Sequence, residues 1–541
     1  MFVQTTKSGR GKKKYVSYLV RESFRTPQGP RSRTICNITG LPAEVRALIA
    51  TALRGQAVVP VEQLQLENAL SYGGLAVLRD AWNRLGLGGL LQEIPSARQR
   101  GLIQAMILAR LLFPCAKLAL AQQAQGTLLA RACGLAAEES FDENDLYAAM
   151  DQFNGRWVVM EKALYQNAFP QPVRLVLYDL TSVYFEGKGP KGLSKFGHSR
   201  DHRSDRPQII LAVATDLDGI PIHLEVLRGN RADTTTLTGL LATLQRRFQI
   251  KEAMFVFDGG MSSRLNLEAM SAARLEYVTR LSSASFAALL EALPRENQPE
   301  LGDRKSIVEV QHAGQRYVVA GGPWRQQRDQ ERRQSRMEKA ETELKRLAAV
   351  PRKKVDAQKL ASQVGRMLER KKAHKYFTYR VDEQGHLIWA QKQEVLTQEE
   401  RLDGWYLLHT NASAEKAPKE QVLGHYKGLL DIEEAFGELK SYLEVRPVFH
   451  WRPDRVRNHV RICFLAYWLS ARLGREWRAK QEPGEVPRIL RELQNIRVGR
   501  VRAAGKVVAT LLTEIPPNLN EQLTRLHLLK LFAQPPAWAE L

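Results

Sequence analysis

The sequence predicts an α/β protein built on a mixed sheet flanked by helices, and three observations carry that reading. The runs 173-VRLVLYDL-180 and 253-AMFVFDGG-260 are short and almost continuously apolar, as strands buried on both faces read. Residues 207–230, PQIILAVATDLDGIPIHLEVLRGN, are two apolar runs joined by a DLDG turn, a hairpin pattern. Helical text at 234–248 and 263–275 then alternates with the strand runs at 253–260 and 276–282. The order is β, β, β, α, β, α, β.

Other elements are read around this segment. Residues 1–60 read as a small β-containing piece, with strands over Tyr15–Ser23 and Ser32–Ile38 and a turn at 26-TPQGP-30. Residues 61–168 read as helical, from the spacing in 101-GLIQAMILARLLF-113 and 143-ENDLYAAMDQF-153. The α/β segment is placed at 169–282. An insertion is expected over 283–410, holding a basic helical hairpin at 325–375 broken by Pro351 and strands at 376–381, 386–391 and 405–410. That basic stretch reads equally as a solvated charged face or as a nucleic-acid-contacting arm. Helical text resumes over 411–475, and the tail 476–541 mixes both signals.

With 541 residues the chain needs no disulfide or metal to staple its core. Lys and Arg outnumber Asp and Glu by 80 to 58, a net charge of +22 that attracts polyanions, of which nucleic acid is the commonest large one. The four cysteines make no CxxC or CxxH, so neither a zinc site nor a disulfide framework is expected, and a reducing compartment fits. The basic N-terminus lacks an apolar signal core, and the longest apolar stretches are too short to span a bilayer. A soluble, cytoplasmic protein with no membrane partner is expected.

Two buried strands end in an aspartate, LVLYD at Asp179 and MFVFD at Asp258. Taken singly, each reads as a cap of the loop that follows. Two such acids in one sheet repel unless cations lie between them, and a pair of divalent metals would also supply chemistry. On the helix around 426–443, Leu429, Ile432, Phe436, Leu439 and Leu443 form an apolar stripe. At roughly 100° per residue, Glu433 falls on its flank, whereas Glu434 and Glu438 turn toward solvent. Tyr426, Glu433 and Lys440 recur every seventh residue along one edge, which by itself also fits an ordinary amphipathic helix.

The spacing of Tyr426, Leu429, Glu433 and Lys440 resembles the Tyr-x2-Arg-x3-Glu-x6-Lys signature of bacterial insertion-sequence DDE transposases, with leucine where the family has arginine. YDLTSVYFEG, GHSRDHRSDRPQI, VFDGGMSS, IEEAFGELKSYLEVRPVFHW and NHVRICFLAYWL occur in the family's order, so the resemblance covers about residues 170–475. It implies a ribonuclease-H-like catalytic domain, split by an insertion domain before the helix that carries the glutamate. Asp179 would lie on the first strand and Asp258 at the end of the fourth, adjacent in the sheet, with Glu433 packed across them.

The implied activity is that of a DNA transposase, a polynucleotidyl transferase and endonuclease. Asp179, Asp258 and Glu433 would hold two Mg²⁺ ions, with Mn²⁺ as substitute, for in-line displacement at phosphorus. Tyr426 and Lys440 would contact phosphate, and Arg446 or Lys427 would replace the arginine missing at Leu429. Trp405 reads either as a platform for a flipped base, as in hairpin-forming relatives, or as a packed core residue. His198 and His202 lie in Gly- and Lys-rich text that reads as a flexible loop, and 187-GKGPKG-192 lacks the context of an ATP site. Double-stranded DNA, as transposon ends and target, is the expected partner, with the protein a homodimer. A hydrolytic nuclease or resolvase on the same fold, or an inactive DNA-binding regulator, are the competing readings.

Overall fold

The computed structural model describes all residues except 10–14, 57, 59–60, 137–138, 202, 295, 297, 300–305, 350–356, 383, 430–431, 433–435, 483–484, 504 and 540–541. One unit is Gly74–Glu492, and a second joins Met1–Gly73 to Leu493–Leu541.

The larger unit is organised by one mixed sheet of eight strands. In chain order these are β1 (Leu175–Tyr184), β2 (Gln208–Thr215), β3 (Pro221–Arg228), β4 (Met254–Phe257), β5 (Glu276–Arg280), β6 (Ile307–His312), β7 (Gln315–Gly321) and β8 (Trp405–Thr410). Across the sheet they run β6-β7-β8-β5-β4-β1-β2-β3. β1, β2 and β3 are successive antiparallel neighbours, while β4 lies parallel to both β1 and β5. β2 is buried at every position, QIILAVAT, because helices cover both faces of a central strand. The turn between β2 and β3 closes on Asp216, whose carboxylate accepts from the backbone N–H groups of Asp218 and Ile220.

The helices follow from apolar spacing. Those that matter here are α1 (Ala97–Leu112), α2 (Glu143–Asp151), α3 (Trp157–Ala168), α4 (Leu237–Phe248), α5 (Arg264–Ala272), α6 (Pro323–Ala348), α7 (Ala357–Arg370), α8 (Lys419–Lys427) and α9 (Pro453–Ala479). In α4 the buried residues are Leu237, Leu240, Leu241, Leu244 and Phe248, a single stripe that packs on Val176, Tyr178 and Phe255 of the sheet. α9 is buried at every position from Ile462 to Ser470 and packs against α1, α2 and β3. The region read as helical at 61–168 is, from residue 74 on, part of the unit that holds the sheet.

The insertion is smaller than the sequence suggests. β6, β7 and β8 extend the central sheet, with β8 antiparallel to β5 at Leu408↔Arg280. The reason is that all six residues of β8 are buried, which an isolated hairpin cannot achieve. Outside the sheet stand α6, α7, the strand pair Phe377–Val381 with Leu387–Gln391, and the helix Gln393–Leu402. They share a core of Met337, Ala340, Leu344, Leu360, Val364 and Leu368. Helices α6 and α7 occupy the stretch expected as a basic helical hairpin, while the connection with Pro351 lies outside the described residues.

The smaller unit has two three-stranded antiparallel sheets. One is Phe2–Ser8, Tyr15–Thr26 and Gly29–Asn37. In the other, Leu64–Ser71, read from sequence as helical, pairs with Arg497–Ala503, which pairs in turn with Lys506–Leu512. Met1–Gly73 and the tail from Leu493, expected in separate regions, form one unit, and Leu64–Ser71 supplies the edge strand that pairs with Arg497–Ala503 of the tail.

Among the described residues no single helix is long and apolar enough to cross a membrane. The bent pair Ala97–Leu112 and Lys117–Ala124, closest by composition, turns through 96°.

Beside that bend lies a buried basic cluster. Lys117 is 6% exposed, and its Nζ sits 2.9 Å from Nδ1 of His459, with Arg110, Cys115, Cys463 and His450 around it. Burial, and then the Arg110 charge, push the Lys117 ammonium down to about 7. Between that value and the ordinary lysine value, the unfolded chain binds the extra proton, so stability rises with pH across this window. Below it the penalty is fully present. Lys117→Met is expected to be at least as stable as wild type at pH 7 and to lack the alkaline gain. Denaturant midpoints at pH 7 and pH 9.5 for both proteins measure this, and equal pH slopes would refute it.

Candidate active site

The two aspartates meet because β1 and β4 run parallel, Tyr178 pairing with Phe257 at the level where Asp258 follows the end of β4. Asp179, expected at a strand end, lies inside β1, because pairing with β2 carries the strand on past it to Tyr184. Asp258 ends β4 and opens a short turn, Gly259–Met261. A Cβ on Gly259 would lie 2.5 Å from the Arg280 carbonyl oxygen, so glycine is what lets this turn pass against β5. Asp179 and Asp258 both line two cavities, one of about 450 Å³ and one of about 490 Å³.

The first cavity is closed by the loop after β1. Gln208 and Lys195 exchange backbone hydrogen bonds, and the Arg200 N–H donates to Ser182 Oγ at 2.7 Å. The text expected as a flexible loop is therefore tied to the sheet; His198 in it is exposed, and His202 lies outside the described residues. The loop brings in Arg200 and Asp201. Arg200 pairs with Asp233 at 2.6 Å, and a Cβ on Gly260 would be 3.4 Å from the same Asp233 oxygen. Asp201 is 4% exposed at its side chain and accepts from Lys440 Nζ at 2.7 Å and from Arg446 at 2.8 Å. Its second oxygen is buried with no hydrogen-bond partner. Burial lowers the Lys440 pKa more than its Asp201 partner restores it.

The second cavity holds Tyr426 and Leu429, together with Arg280, Arg325, Arg328 and Lys427. Burial, and then the charge of Asp258, push the Tyr426 hydroxyl up to about 12. It stays protonated at neutral pH and is a donor.

Glu433 and Glu434 lie outside the described residues. Tyr426 and Leu429 before them, and Phe436, Gly437 and Lys440 after them, line the cavities that contain Asp179 and Asp258. The helix expected over 426–443 is described only in parts: α8 ends at Lys427 and Glu438–Tyr442 is a π-helical turn. Glu438, expected to face solvent, is instead packed inside, where burial pushes its carboxyl up to about 7 against a hydrogen bond from Ser470.

Arg446, expected as a substitute for the arginine missing at Leu429, is held beside Asp201 and Lys440 in the first cavity, whereas Leu429 lines the second. Lys427 does share the second cavity. Trp405 is 4% exposed and packs with Phe286, Leu289 and Leu407. It also lines a cavity with Arg280, Arg325 and Arg332.

Residues missed from the sequence are Arg200, Asp201, Asp233, Arg280 and Arg325. For Arg280 a signal existed, since 276-EYVTRLS-282 ends a strand parallel to the one that bears Asp258. For Asp201 none did, because its neighbours lie more than 200 residues away in sequence.

Comparison with family models matches residues 171–469 to the transposase DDE domain. Comparison with curated protein sequences gives no match. A similar solved structure is the Mos1 transposase paired-end complex with left transposon end, at 15% identity and a TM-score of 0.15, covering 36% of this chain and 57% of that one. The family match spans more than half of the chain and includes Asp179, Asp258, Tyr426 and Lys440, so the chain belongs to the DDE transposases.

Proposed function

We propose that the protein is the DNA transposase of an insertion sequence, binding the element's terminal inverted repeats as a homodimer and catalysing strand cleavage and strand transfer. The observation that carries the proposal is the parallel pairing of β1 with β4, which sets Asp179 beside Asp258 between two cation-lined cavities. The strand order β3-β2-β1-β4-β5, with only the β1–β4–β5 pairs parallel, supports a ribonuclease-H-like core. The positions flanking Glu433 on both sides favour it as the third acid.

The donor set suits a hard divalent cation, since both described acids offer carboxylate oxygens to one space. When bound there by Asp179, Asp258 and Glu433, Mg²⁺ or Mn²⁺ would activate the attacking oxygen and stabilise the leaving one. The chain's own residues hold the substrate. Lys440 and Arg446 converge on Asp201 and would exchange it for a phosphate oxygen as DNA enters. Tyr426 would donate a hydrogen bond to a neighbouring phosphate. The attacking group is water in cleavage and a 3′-hydroxyl in joining, and the same three acids serve both.

A duplex carrying the element's end and a labelled 3′-hydroxyl tests the proposal. Joining to a target plasmid is expected; cleavage without joining would favour the nuclease, and binding without either the regulator. Affinity for the duplex should fall steeply with salt, roughly 10³-fold between 50 and 200 mM for six or more phosphate contacts. A flat salt dependence by fluorescence anisotropy would count against backbone binding.

A further inference from the structure

The second cavity collects more positive charge than the acid pair beside it accounts for. Arg280 ends β5, and its guanidinium hydrogen-bonds the Tyr426 hydroxyl. Arg325, in the first turn of α6, comes from the insertion and stacks over Tyr406, 5.3 Å from the ring centroid. The two guanidiniums are close enough that burial, and then the Arg280 charge, push the Arg325 pKa down. Holding like charges together in a half-buried space is unfavourable unless an anion joins them.

Arg325 also has unused capacity. Its Nε is buried with no hydrogen-bond partner; Asp329 Oδ2 is 3.4 Å away but outside hydrogen-bond geometry. Farther along α6, Arg328 and Arg332 line the same cavity. Spacings of three and seven residues keep them on the face of Arg325, so the cations form a row along the helix. The cavity is thus lined both by the acids Asp179 and Asp258 and by four arginines. An extended polyanion that presents one group to the acids would present its next ones to the arginines.

We propose that Arg280 and Arg325 form a seat for a backbone phosphate flanking the one that reacts, and that Arg328 and Arg332 continue it as a track for the same strand. The seat rests on the proposed action on DNA, and it gives the basic helix of the insertion a defined role. It also supplies, from β5 and α6, the cation that the catalytic helix lacks at Leu429, which lines the same space. Guanidinium suits the task because its planar donors bridge two phosphate oxygens at once.

The experiment is fluorescence anisotropy of full-length protein on a labelled 30-base-pair duplex in EDTA, so that binding is read without catalysis. Arg280→Gln and Arg325→Gln are each expected to weaken binding by about tenfold and to lower the salt slope by about one phosphate contact. Arg366→Gln, on the exposed face of α7, is the control and should bind as wild type does. Leu429→Arg in the Arg325→Gln background separates lost charge from lost folding. Recovery of affinity supports the seat, because a misfolded protein is not rescued by a cation added elsewhere in the same lining. Wild-type affinity and salt slope in both arginine variants, or a loss that Leu429→Arg does not recover, would overturn the proposal. The joining assay on wild-type protein is a separate readout. Failure there with the arginine effects intact refutes the transposase reading and leaves the seat.

Discussion

Asp258→Asn is expected to abolish strand cleavage and joining while leaving DNA binding intact. The substitution keeps size and shape and removes one charged donor from the pair that β1 and β4 set side by side. Losing an acid that positions a catalytic cation removes several kcal/mol of transition-state stabilisation, and about 4 kcal/mol corresponds to roughly 10³-fold in rate. Affinity for DNA should hold or rise slightly, because one negative charge facing phosphate has gone. Glu433→Gln should behave in the same way. Glu434→Gln is the matched control, one residue along the helix and predicted by the apolar stripe to face solvent. A plasmid joining assay run beside an anisotropy titration measures both properties. If Glu434→Gln is inactive and Glu433→Gln is not, the register of the third acid is wrong, and the roles given to Tyr426 and Lys440 fall with it. Activity in Asp258→Asn within tenfold of wild type would remove Asp258 from the catalytic set.

Glu161→Ala should give a large loss of stability. Glu161 is 0% exposed on α3, where it accepts from the Leu224 backbone N–H at 3.3 Å, lies 2.9 Å from Nδ1 of His223, and pairs with Arg247. Burial raises its pKa, but His223 and then Arg247 outweigh that, holding the carboxyl below its ordinary value. One side chain thus ties α3 to β3 and α4. Removing the acid strands a buried ring nitrogen, a backbone N–H and a guanidinium, which costs about 3–5 kcal/mol. Glu161→Gln should lose less, since an amide oxygen still accepts the Leu224 N–H. The contribution has a definite pH sign. Because the folded-state pKa is lowered, the stabilisation is complete above the ordinary carboxylate range and is lost as pH falls through the folded-state value. Thermal melting at pH 7 checks the first claim, and a Glu161→Ala melting temperature within about 2 °C of wild type would defeat it.

Neither outcome could be read from one dimension alone. The apolar runs that lead into Asp179 and Asp258, the hairpin at 207–230, the helical stripe of α4 and the basic helices α6 and α7 are all short patterns, set by local periodicity. The sequence was sufficient to find them, and with them Asp179 and Asp258. It also supplied the family motif and the large positive charge. What it could not supply was pairing. Asp179 and Asp258 are one site because β1 lies parallel to β4, a choice made by contacts some 79 positions apart in the chain. Asp201 meets Lys440 across |i−j| of 239, and no local spacing encodes that. Strand 405–410 reads alike whether it closes an insertion or joins the central sheet, and only burial of its six residues decides for the sheet. Glu438 reads from its spacing as solvent-facing, yet it is packed inside and hydrogen-bonded by Ser470, which lies on α9. Short-range order is written in residue spacing, whereas which surfaces meet depends on burying the most apolar area with every polar group satisfied, and the whole chain decides that together.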